Sequence, residues 1–221
     1  MSDEVIITVR GESERRVAPE QARAHITVAA DGPERGAVVE RIAALAEPVR
    51  AGLGVRREAG AVSEWNSQRV SVWAQRPWND AGEQLPPVHY ASVEFTATFT
   101  DTIALSGWIN ALAEQDGVQI GHVAWQLTPE VRARTEREVA TSAVAVAVER
   151  ATAYATAIGR STVRPIEIAD VGMLGGSEPT HPAMLRAAKA EMAFDGGAPA
   201  VDFHPDDIVI TATVEARFRA V

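Results

Sequence analysis

Glu12, Glu14 and Glu20 lie close together in the sequence. Paired carboxylates can divide acid and base work when a cleft desolvates one more than the other. Arg15, Arg16 and Arg23 are interleaved with them, which predicts a screened surface network at a strand end rather than a cleft. A second grouping is "DFHPDD", where Asp202, Asp206 and Asp207 surround His204. Imidazole and carboxylate suit a divalent cation, but Asp and Pro in such a run more commonly open a turn, and the segment is read that way. His25, His89 and His122 each fall on a strand-like stretch, far from one another in sequence, and read as solvated or interface sheet positions. His181 and His204 flank a long loop-like segment. Met173, Met184 and Met192 offer thioethers to a soft metal, yet methionine at helical spacing more often fills an apolar gap. Of the five tryptophans, Trp73 sits on the polar side of its strand and Trp78 in the loop after it. They mark either a contact surface or, if a helix covers that side of the sheet, ordinary core.

No Walker loop, dinucleotide glycine fingerprint, H-E-x-x-H pair, EF-hand loop or G-x-S-x-G elbow occurs. The chain has no cysteine, which excludes disulfides and thiol chemistry. Lys189 is the only lysine among 21 basic residues, so Schiff-base chemistry has one candidate. A net charge of −9 argues against nucleic acid as the main partner, because such binding draws on a basic face. The apolar run "AVAVAV" at 143–148 is far short of the roughly 20 residues that span a bilayer. With no basic and apolar leader in "MSDEVIITVRGE", the expectation is a cytoplasmic protein without membrane insertion.

The elements that would position these residues follow from periodicity. Alternation at 5–10, 24–30, 69–74, 93–100 and 208–219 predicts strands with one wet face, and shorter strands are expected at 118–127 and 163–171. "ERRVA" reads as a continuation of the first strand to a turn at Pro19, with Gly11 as a bulge or bend. Val38, Ile42, Leu45, Val49 and Leu53 repeat at helical spacing, with Gly54 as a stop and Pro48 as a kink or early end. Asp101 caps a second helix through Leu105, Trp108, Ile109 and Leu112, closed near Gly117. Thr128, Pro129 and Gly159 bracket a helix at about 129–158, roughly 45 Å long. Its first half is charged and its second rich in Ala and Val, so one end is expected to pack on the sheet while the other projects or meets a partner. Residues 175–205, with many Gly and Pro, form a long connection before the last strand and read as a mobile or interface segment. Within it "PAMLRAAKAEM" has the pattern of a short helix.

The order β-β-α-β-β-α-β-α-β, then that connection, then β, predicts an α+β fold of antiparallel sheets covered by helices. The pieces "ITVRGESERRVAPEQARAHITV", "QRVSVWAQRPW", "YASVEFTATFTD", "GVQIGHVAWQL", "AVERATAYATAIG" and "DIVITATVEARF" together resemble the SIMPL domain family, also called DUF541. That family includes a bacterial periplasmic immunogenic protein and an oxidative-stress-related protein. The resemblance covers nearly the whole chain and implies one SIMPL-like domain over 1–221, or two intimately packed α+β halves. It also implies self-association, since one relative forms a large ring- or channel-like homo-oligomer, and it carries over no catalytic residue. Many relatives are exported, which the expected cytoplasmic location does not match.

The expectation is therefore a soluble, non-enzymatic structural or interaction protein that assembles into a homo-oligomer. No catalytic, cofactor-binding or metal-ligating residue is assigned. The alternative is a small-ligand or stress-response binding protein with the 175–205 loop as lid.

Overall fold

The computed structural model describes residues 4–174 and 203–221. Its elements run β1 (Val5–Val17), β2 (Gln21–Gly32), α1 (Arg35–Glu58), β3 (Val62–Gln75), β4 (Val88–Phe99), α2 (Thr102–Ala113), β5 (Val118–Gln126), α3 (Pro129–Ala157), β6 (Val163–Asp170) and β7 (Ile208–Ala220). This is the α+β order that periodicity predicts. The helix expected within 175–205, and the lid role given to that stretch, fall largely outside the described residues.

The chain divides into two compact units. One contains residues 1–18, 128–196 and 207–221, and the other residues 19–127 and 197–206. The second is thus inserted between β1 and α3 of the first. The charge-rich stretch after Arg10 does continue as strand to Val17, and Pro19 separates β1 from β2. These two neighbours in sequence belong to different sheets.

In the first unit β7 lies between β1 and β6, all antiparallel. Ile7 and Val9 on β1, with Val214, Ala216 and Phe218 on β7, turn inward and meet Ala143, Ala147, Ala151 and Ala155 of α3. Gly11 is not a bulge, because the β1–β7 register runs through it unbroken, with Gly11 opposite Val214. A Cβ placed on Gly11 would lie 2.0 Å from the Ala143 carbonyl oxygen and 2.8 Å from the Ala147 nitrogen. The glycine is there so that the α3 backbone can press onto the sheet, and the alanine stripe serves the same end. Buried positions on α3 recur at Thr135, Val139, Ala143, Ala147, Ala151 and Ala155. The Ala- and Val-rich half packs on the sheet as expected, but the charged half does not simply project, since Thr135 and Val139 are buried too. Charge there occupies the flanks, while every fourth residue is covered.

In the second unit the sheet order is β3-β4-β2-β5, with α1 and α2 contributing to one core. Alternate residues of β2 (Ala22, Ala24, Ile26, Val28) and β4 (Ala91, Val93, Phe95, Ala97, Phe99) face Val49, Leu53, Leu105 and Leu112. Neither Pro48 nor Gly54 ends α1, which continues to Glu58 and stops before Gly60 at φ +78°. Proline inside a helix costs about 3 kcal/mol, partly because the carbonyl four residues back loses its donor. Ala44 and Pro48 lie on the exposed side, where solvent can reach that carbonyl. Val49 and Leu53 beyond it are fully buried, and each contributes roughly 1.5–3 kcal/mol. Burial therefore outweighs the proline. Asp101 caps α2 as expected, its carboxylate accepting from the N–H groups of Ile103 (2.8 Å) and Ala104 (3.1 Å). Thr128 caps α3, accepting from the Val131 N–H.

Candidate functional site

The second face of the β3-β4-β2-β5 sheet carries a connected polar grouping. Period-two alternation that sends Ala22, Ala24 and Ile26 inward sends Arg23 and His25 outward. Cross-strand register sets Arg23 beside Thr98 and His25 beside Thr96 on β4, and those threonines beside Glu64 and Asn66 on β3. Arg23 Nη2 donates to Glu64 Oε1 at 3.0 Å, and the Thr98 hydroxyl donates to the same oxygen at 3.4 Å. The Thr96 hydroxyl donates to Asn66 Oδ1 at 2.8 Å. Thr96 and Thr98 are buried, so these bonds satisfy groups that water does not reach. Arg23 Nε is buried with no partner among the described residues.

A bulge completes the grouping. Ala24 pairs with Val123 and Ile26 with Ile120, so two residues of β5, Gly121 and His122, stand opposite His25 alone. The extra residue restores the inward set on both sides and turns His122 to the face that His25 occupies. The two imidazoles stack with centroids 4.3 Å apart and planes 21° from parallel. Gly121 permits this, since a Cβ there would sit 3.0 Å from the His25 carbonyl oxygen and 3.4 Å from its Cβ. Partial burial holds the His25 imidazole below its ordinary pKa, with His122 and then Arg23 acting in the same sense and Glu94 opposing. The His25 ring thus favours its neutral form, which can accept a proton or ligate a cation.

Other sequence-derived groupings come apart. Glu12, Glu14, Arg15 and Arg16 belong to β1, whereas Glu20 and Arg23 belong to the other unit. Arg15 bonds Glu138 of α3, Arg16 approaches Glu14 at 3.9 Å, and the Glu20 N–H donates to the Gln126 carbonyl. Glu12 and Glu14 border a shallow hollow of about 220 Å³ with Thr211 and Thr213. Among the described residues no three His, Asp or Glu side chains gather as a metal site, and this includes His204, Asp206 and Asp207. Met173 is 73% exposed, while Met184 and Met192 lie outside the described residues. Trp108 is core, tilted against Phe99 at 5.2 Å. Trp73 stacks on Tyr90 at 5.4 Å and stays 41% exposed, so it is surface rather than core. Sequence reasoning missed the His25–His122 pairing, and the only local hint was a glycine before His122.

The model of SIMPL, a protein of unknown function (DUF541), matches residues 7–218. The chain belongs to the SIMPL family. The matched span takes in residues of both units, and the family description assigns no reaction. No curated protein matched the chain. In this SIMPL chain no described helix is long and apolar enough to cross a membrane.

Proposed function

We propose that this SIMPL chain is a non-enzymatic structural and interaction protein that assembles into a homo-oligomer through its sheet edges. The observation that carries the reading is the second half of β3. This strand pairs only with β4 among the described residues, leaving its outer backbone edge open. Val70 (67%), Val72 (36%) and Trp73 (41%) are exposed along it, on both faces of the sheet. An apolar open edge is a template for pairing with another chain, and soluble proteins cover such edges or use them. A second copy supplies an identical edge, which antiparallel pairing about a two-fold axis would satisfy on both sides.

Light scattering coupled to size exclusion at high micromolar concentration tests the reading. The native chain is expected to run as an oligomer, and V70K/V72K as a smaller species with unchanged far-UV circular dichroism. A native chain that stays monomeric would overturn it.

A further inference from the structure

We infer that His25 and His122 form a two-imidazole seat for a divalent transition cation of the copper class, entered from the solvent side of the β5 bulge. The inference is independent of self-assembly. It rests on the bulge, which spends one unpaired residue, Gly121, to bring a second imidazole beside the first. Bulges re-aim side chains, and this one re-aims a ligand-type side chain onto another.

The geometry is within reach. Two nitrogens bound to one cation at about 2.0–2.1 Å stand about 3 Å apart. Rings with centroids at 4.3 Å reach that separation when each turns about its Cβ–Cγ bond out of the stack. His122 is exposed, so its ring has room to turn and the cation has a path of entry.

The surrounding charge does not forbid a cation. Arg23 is engaged by Glu64 at 3.0 Å. Glu94 acts on His25 with the opposite sign to Arg23, and Arg69 stands across from Glu94 on β3. Thr96, opposite His25, has its hydroxyl committed to Asn66. Two nitrogen donors without a carboxylate select for imidazole-seeking ions over calcium or magnesium, and copper(II) binds tightest in that series.

The test titrates the full chain with copper(II) alone, by calorimetry in a non-coordinating buffer and by electron paramagnetic resonance. The native chain should bind one equivalent with coupling to two nitrogens. Because His122 is exposed, H122Q should fold normally, bind at least roughly tenfold more weakly through loss of the chelate, and show one nitrogen. Equal copper affinity in the native chain and H122Q would overturn the inference. A second measurement needs no variant: in histidine ring spectra of the native chain, substoichiometric copper(II) should broaden His25 and His122 first. Earlier broadening of His89 or His204 would also overturn it.

Discussion

At the scale of single residues, Gly11 and Gly121 show what one sequence can and cannot disclose. Both stand in strand patterns, where glycine reads as a bulge or bend. Only Gly121 is part of one, while Gly11 is a landing point for α3. The difference depends on residues far off in the sequence, Ala143 for Gly11 and His25 for Gly121, so no local pattern contains it. Replacing Gly11 by alanine forces a methyl group against the Ala143 carbonyl, a backbone atom that cannot rotate aside. G11A should destabilise the chain by on the order of 3 kcal/mol, read as a lower midpoint in urea. G121A, whose nearest contact is 3.0 Å, should cost less. Glu215 gives a pH prediction. The hydrogen bond from Arg10 chiefly holds its carboxyl below the ordinary value; burial opposes this, and the Gly172 N–H adds to it. A depressed folded pKa means that the contribution is present above the unfolded value and lost as pH falls through the folded one. The melting temperature of the native chain should therefore exceed that of E215Q at about pH 6, and the gap should close towards about pH 3. A gap that is constant with pH would show that Glu215 acts by shape alone.

Elements were legible where a period persists. Among the described residues, each strand and helix expected from alternation or three-four spacing is present, and the Asp101 and Thr128 caps hold the ends assigned to them. What local pattern could not show is partnership. β1 and β2 are separated by three residues, as a hairpin would be, yet β1 pairs with β7 and β2 with β4 and β5. Helix α1 made a comparable point, since Pro48 and Gly54 are stop signals that tertiary burial of Val49 and Leu53 overrides. If burial is what carries α1 through Pro48, truncating Leu53 should be expensive. L53A should lose about 2–5 kcal/mol in chemical denaturation. The cap of α2 makes a smaller and local contribution, because Asp101 satisfies two N–H groups that solvent can also reach. D101A should lose about 1 kcal/mol, and D101N, which keeps an acceptor oxygen, should lose less. A D101A loss as large as that of L53A would mean that α2 depends on its cap more than on Leu105 and Leu112.

At the scale of the whole molecule, the two apolar cores have no residue in common. The core between β2, β4, α1 and α2 is built within residues 22–125, except that Phe203 packs edge-on against Trp125 at 5.6 Å. The other core joins β1, α3 and β7, strands and helix from opposite ends of the chain. Folding of the insert should favour this core, since closing the chain over an unfolded 19–127 would cost the loop-closure entropy of that length. The two units are therefore unequal in autonomy. A fragment of residues 19–127 keeps both helices and all four strands of its sheet, together with every buried residue of its core. It should fold cooperatively by itself, with a single thermal transition, and Trp125 fluorescence should shift to the red where Phe203 is missing. The remaining segments, joined by a short linker in place of 19–127, should fold only if the linker lets β1 reach β7. A fragment 19–127 that stays unfolded would show that the chain is one indivisible domain despite its two cores. Independent folding would make it two domains, one inserted in the sequence of the other.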